Sequence, residues 1–188
     1  MAGKQRGNNV TELTCIAPLK SSKAGKPSGA DTLRAIFAQR EEDDRQGKRN
    51  PIENIGTIHY ARWVIIDKDK RLLFTSNFDG GLNDYLKEFA ERDERMLNLI
   101  FGCCEGWPGA RPAEGFIKYV EEHQVIAAYY YAPYARYTVG EVKRALYWKK
   151  TTEDFLKEVG TPGFDNDAAI GKLRQVLAKP TPHPLSEF

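Results

Sequence analysis

Nine residues, Ile58–Ile66 (IHYARWVII), constrain this chain more than any other stretch. β-Branched and aromatic side chains dominate them, which favours a pleated strand over a helix. Asp67-Lys68-Asp69-Lys70 then reads as a turn, and residues 71–78 (RLLFTSNF) as the returning strand. A four-residue loop puts Ile66 opposite Arg71, so Arg62 faces Thr75, Tyr60 faces Asn77, Trp63 faces Phe74 and His59 faces Phe78. Cross-strand partners share a face. One face then carries Ala61, Trp63, Ile65, Leu72, Phe74 and Phe78 and belongs under helices. The other carries Tyr60, Arg62, Val64, Leu73, Thr75 and Asn77, a mixed surface expected on the open side. A β-bulge would reverse the assignment beyond it.

The remaining elements fall around this hairpin. Residues 11–20 (TELTCIAPLK) alternate Leu13, Cys15, Ala17 and Leu19 on one side, as a half-buried strand does. Asp31 is the expected N-cap of a helix carrying Leu33, Ile36 and Phe37, which runs into the solvated stretch 40–49. After Asp79-Gly80-Gly81, the spacing from Leu82 to Ile100 predicts one long amphipathic helix. Residues 114–122 read as a short helix, 125–131 (VIAAYYY) as a fourth strand, and a final helix is expected near Thr138 with Glu141 at capping-box spacing. The order is strand, helix, strand, strand, helix, strand. It predicts an α+β, ferredoxin-like β-α-β-β-α-β fold with a four-stranded antiparallel sheet, both helices on one face and extra C-terminal helices. Residues 1–150 form the expected domain, with 1–10 a flexible arm; 151–188 are a helical extension ending in the Pro-rich tail KPTPHPLSEF.

Charge narrows the function classes. The 28 Lys and Arg balance 26 Asp and Glu, a net charge of +2, which argues against a nucleic-acid partner. No apolar run approaches the roughly 18 residues of a membrane span, and the first ten residues lack a signal-peptide core. Three cysteines, two of them adjacent, do not make a disulfide framework. Reduced thiols in a soluble cytoplasmic protein are the simpler reading. No GxGxxG, GxxxxGK, HExxH or GxSxG motif is present, and the Cys103-Cys104-Glu105 cluster offers too few ligands for a metal site.

Candidate chemistry therefore gathers on the open face. Arg62, a guanidinium in mid-strand, either orients an anionic ligand or pairs with a carboxylate. His59 is either a hydrogen-bonded structural residue or a general base. Asp79 is either a turn cap or an acid–base group. Tyr60, Thr75, Asn77, Tyr129 and Tyr131 are the ligand-binding candidates, Tyr129 and Tyr131 pointing one way and Tyr130 the other. His123 closes a helix and His183 lies in the tail, so neither is a site residue.

The layout resembles the dimeric α/β-barrel superfamily. ELTCIAPLK followed by a loop and helix is similar to the opening of the antibiotic-biosynthesis-monooxygenase type. IHYARWVII, RLLFTSNFDG and the long helix are similar to the second half of such a unit. Ser76-Asn77-Phe78-Asp79-Gly80 resembles the glycine, two variable residues, aspartate, glycine motif of dye-decolourising peroxidases, with Ser76 in place of the first glycine. The resemblance implies a homodimer and a peroxidase- or monooxygenase-type oxidoreductase acting on a small apolar or aromatic ligand. It leaves the cofactor open, with haem on His59 as one option. A non-catalytic binding or oligomerisation module is the alternative reading, and an RNA-binding sheet the third.

Overall fold

The computed structural model describes residues 9–160 and 165–178. Its elements run β1 (Val10–Pro18), α1 (Gly29–Arg45), a 3₁₀ turn (Pro51–Asn54), β2 (Ile58–Ile66), β3 (Arg71–Asp79), α2 (Leu82–Arg92), α3 (Glu94–Phe101), α4 (Ala113–His123), α5 (Val139–Val159) and α6 (Asn166–Ala178). The tail, His183 and most of the N-terminal arm lie outside the described residues. The chain divides into two units, Met1–Thr138 and Val139–Phe188. The second contributes α5 and α6, joined by a Lys172–Glu158 ion pair at 3.0 Å. Among the described residues no helix is long and apolar enough to cross a membrane.

The fold is α+β, but the sheet has three strands, in the order β1-β3-β2, all antiparallel. The hairpin register agrees with the sequence reading from Ile66↔Arg71 to Tyr60↔Asn77. Asp67, Lys68 and Asp69 all adopt left-handed backbone angles in its turn. The register then shifts: Ile58, not His59, lies opposite Phe78, and His59 is the extra residue of a bulge.

The expected fourth strand at 125–131 is absent, and the reason is a mismatch of lengths. The segment is pinned to the outer edge of β1 at two points. The Val125 N–H donates to the Thr14 carbonyl at 2.8 Å, and the Val10 N–H donates to the Ala135 carbonyl at 3.1 Å. Ten residue steps of the segment thus span four of β1. Extended, those lengths are roughly 33 Å and 13 Å, so pairing cannot continue between the pins and the segment bows outward.

Two helix boundaries also differ from expectation. The N-cap of α1 is Ser28, whose Oγ accepts from the Asp31 N–H; Asp31 lies in the first turn, where a carboxylate complements the helix dipole. Gly29 follows because a Cβ there would run into the Cys103 carbonyl. The long helix expected from Leu82 to Ile100 breaks at Asp93, which ends α2 and caps α3 by accepting from the Met96 N–H at 3.3 Å.

The packed face of the sheet carries the residues that its alternation selects. Leu13, Cys15 and Ala17 of β1 and Leu72, Phe74 and Phe78 of β3 are buried with Leu33 of α1, Tyr85, Leu86 and Phe89 of α2, Leu97 and Phe101 of α3, and Phe116 and Val120 of α4. Fully burying side chains of this size contributes about 1.5–3 kcal/mol each. Phe78 and Tyr85 stack with ring centroids 3.9 Å apart, and Tyr85 Oη shares a hydrogen bond of 2.9 Å with buried Ser76 Oγ. Without that partner both hydroxyls would be buried and unsatisfied.

Asp93 generates a test. It is buried, its Oδ2 has no hydrogen-bond partner, and desolvation raises its pKa above the usual carboxylate value, partly offset by the Met96 N–H and Arg95. A carboxyl raised on folding favours the fold when protonated, so its contribution is lost as pH climbs through the raised value. Asp93→Asn keeps the cap without the charge. It should melt higher than the wild type at pH 7, and the gap should close as pH falls toward about 4. Asp93→Ala should instead cost about 1 kcal/mol of cap. Thermal melts across pH check both.

Candidate functional site

Alternation along the three strands builds the face opposite the core. The registers align Glu12, Asn77 and Tyr60 in one cross-sheet row, Thr14, Thr75 and Arg62 in the next, and Ile16, Leu73 and Val64 in the third. The face is graded: apolar toward the hairpin turn, polar and charged toward the far end. Arg62 and Tyr60 are exposed, Tyr60 at 77%, while Thr75 and Asn77 between the strands are half-buried. The structure thus brings Tyr60, Arg62, Thr75 and Asn77 together as the sequence reading placed them.

Most arginines around Arg62 are held by a carboxylate. Arg34 holds Asp69 at 2.5 Å, Arg40 holds Asp44 at 3.0 Å, Arg92 holds Glu88 at 3.1 Å, and Arg71 holds Asp67. The Arg62 side chain has no ion pair or hydrogen bond among the described residues. It stands in mid-strand on the face that also carries Tyr60, Val64, Leu73, Thr75 and Asn77, with five N–H donors to offer.

The tyrosines are rearranged by the bowed segment. Tyr129 and Tyr131, both expected in the site, are exposed at 78% and 72% and are not brought to the face. Tyr130 is. Its Oη accepts a hydrogen bond of 3.0 Å from Asn77 Nδ2, and its pKa is raised, chiefly by desolvation; the Asn77 hydrogen bond lowers it in part and the nearby Glu12 carboxylate adds to the rise. Alternation along the triplet predicts that Tyr130 points opposite to Tyr129 and Tyr131, but the site was expected on the latter pair. Which of the three turns inward depends on the pins at Val125 and Ala135.

His59 and Asp79 meet at the end of the same strands. His59 Nε2 lies 2.8 Å from Asp79 Oδ1, with both side chains mostly buried at 14% and 16%. The bulge creates this contact, since a regular ladder would have aimed His59 at Phe78. Asp79 does not cap α2, whose N-cap is Gly81 with no side-chain cap. A carboxylate on one ring nitrogen fixes the tautomer and leaves the other, Nδ1, as a proton acceptor. The residues do not fit a haem: Nε2, the nitrogen farther from the backbone, is engaged by Asp79, and Nδ1 is hindered by its own Cβ.

Burial disfavours the thiolate form of the cysteines. All three are buried and free, and burial pushes the Cys15 and Cys104 thiols up to about 12, with Cys103 also raised. Among the described residues no group of His, Cys, Asp and Glu could hold a metal ion.

Two outcomes follow from this geometry. Asn77→Ala should release Tyr130 at a cost of about 1 kcal/mol, seen as faster hydrogen exchange at 125–135 with β1 and β3 unchanged. Haem added to the purified protein should keep the absorption of free haem, identical for wild type and His59→Ala. A Soret shift lost in the variant would overturn the misfit argued above. Comparison with known proteins assigns no family: no family model matches the chain, and neither a curated protein nor a solved structure matches it.

Proposed function

We propose that the open face of the sheet binds a small aromatic or apolar ligand bearing one anionic group. The carrying observation is Arg62: a guanidinium in mid-strand, without a carboxylate partner among the described residues, beside an exposed tyrosine ring. A carboxylate, sulfonate or phosphate would supply the acceptors that Arg62 lacks, in charge-assisted hydrogen bonds. The Tyr60 ring and the aliphatic Val64 and Leu73 offer apolar contact for the ligand body, while Thr75 and Asn77 offer polar orientation. Tyr130, held on Asn77, walls the side toward β1.

Oxidation of the bound ligand is the second reading, favoured by the His59–Asp79 contact. His59 Nδ1 would take a proton from a quinol-type hydroxyl, easing electron transfer from quinol to dioxygen with quinone and hydrogen peroxide as products. Dioxygen uptake on a naphthoquinol carboxylate probe, above autoxidation and lost in His59→Ala, would support it; rates equal to autoxidation would remove it.

Binding itself is tested with 8-anilinonaphthalene-1-sulfonate, an aromatic anion, against the uncharged N-phenyl-1-naphthylamine. Wild type should prefer the sulfonate, and Arg62→Ala should erase that preference, weakening the sulfonate about ten-fold, or 1.4 kcal/mol, with little effect on the neutral dye. Tyr60→Ala should weaken both dyes. Equal affinities for the two dyes in the wild type would refute the proposal.

A further inference from the structure

The ladder pattern fixes which backbone groups of the sheet remain unused. Val10 N–H and Thr14 C=O bond to the segment beyond β1, so the even residues of β1 point away from β3 and the odd ones bond to it. Their partners in β3 are Leu72, Phe74, Ser76 and Phe78. The alternate β3 residues, Arg71, Leu73, Thr75 and Asn77, therefore bond across to Ile66, Val64, Arg62 and Tyr60. That leaves the N–H and C=O groups of Ala61, Trp63 and Ile65 directed outward from β2, the edge strand. None of them has a backbone partner among the described residues.

Such an edge is normally guarded. Proline, lysine, a mid-strand bulge or a very short strand blunts it. β2 has none of these between Tyr60 and Ile66: its bulge sits at His59, outside the regular ladder, and its one charge, Arg62, lies on the open face.

We propose that β2 pairs edge to edge with β2 of a second copy of this chain, antiparallel and centred on Trp63, to form one continuous six-stranded sheet. The register follows from the strand. Centring on Arg62 would set two guanidinium groups directly opposite each other, which is repulsive. Centring on Val64 would forfeit Tyr60 and Ala61 from the ladder. The regular ladder runs from Tyr60 to Ile66, and its midpoint is Trp63. In that register Ala61 pairs with Ile65 of the partner subunit and Trp63 with the partner's Trp63, giving about six backbone hydrogen bonds. On the open face Tyr60 meets the partner's Ile66, and the Arg62 stem meets the partner's Val64, leaving the guanidinium free. Self-complementarity selects a second copy over an unrelated strand: each charged Arg62 lies opposite an apolar Val64, the remaining pairs are apolar or aromatic, and no like charges are opposed.

Sedimentation equilibrium of the full chain tests this. Wild type should run at twice the chain mass of 21.3 kDa at micromolar concentration. Ala61→Pro removes an outward N–H from an edge position where proline is tolerated, and should give a folded monomer by circular dichroism. Val64→Lys, placed opposite the partner's Arg62, should weaken the dimer at least ten-fold. Val64→Glu, opposite the same arginine, should keep or tighten it, so this pair decides the matter even if the proline variant does not fold. A monomeric wild type overturns the proposal. So does a dimer indifferent to the sign of the charge at 64.

Discussion

The phase of β3 is the constraint on which the other positions depend. It is the central strand of the three, paired with a strand on each edge, and its alternating residues are committed in two directions at once. Leu72, Phe74, Ser76 and Phe78 face the core, and the buried Ser76–Tyr85 hydrogen bond with the Phe78–Tyr85 stack ties that side to α2. A slip of one residue would strand a hydroxyl and an aromatic ring and bring Asn77 and Thr75 into the core. The open face is thus fixed from beneath, by what the packed face cannot give up.

From that phase the site assembles in layers of decreasing certainty of position. Tyr60, Arg62, Thr75 and Asn77 are placed by backbone ladders and cannot wander. Tyr130 is placed by a single side-chain bond at the crest of a segment with more chain than its anchorage needs. The surplus chain exposes Tyr129, Tyr131 and Tyr134 while pressing one phenol onto the sheet. β1 and β2 are thus unequal: the outer side of β1 is partly covered by its own chain, and the outer edge of β2 has no backbone partner among the described residues.

Much of the first unit was legible from residue pattern. The hairpin, its pairing from Tyr60 to Ile66 and the division into two faces come from local alternation, which depends on neighbours two residues apart. The misses share a cause in distance. The fourth strand had the right composition in VIAAYYY, but whether it zips onto β1 depends on where Ala135 is held, ten residues on. The long helix was read through Asp93 because an amphipathic period carries across a one-residue break; the buried cap that makes the break gives no signal in periodicity. His59 was aimed at Phe78 because a bulge is invisible until the ends of two strands are tied, here by the Asp79 N–H bonding the Thr57 carbonyl at 2.9 Å.

By itself the sequence determined the alternation of the strands, and with it which side chains could share a surface, because a period of two is imposed by the backbone of every strand. It also determined that Arg62 would stand among uncharged neighbours. Only the tertiary structure decided that Arg62 finds no carboxylate among the described residues, that Tyr130 rather than its neighbours turns inward, and that His59 reaches Asp79. Those outcomes depend on closing the chain over long separations, where the lengths of competing paths choose the winner and local preference has no vote.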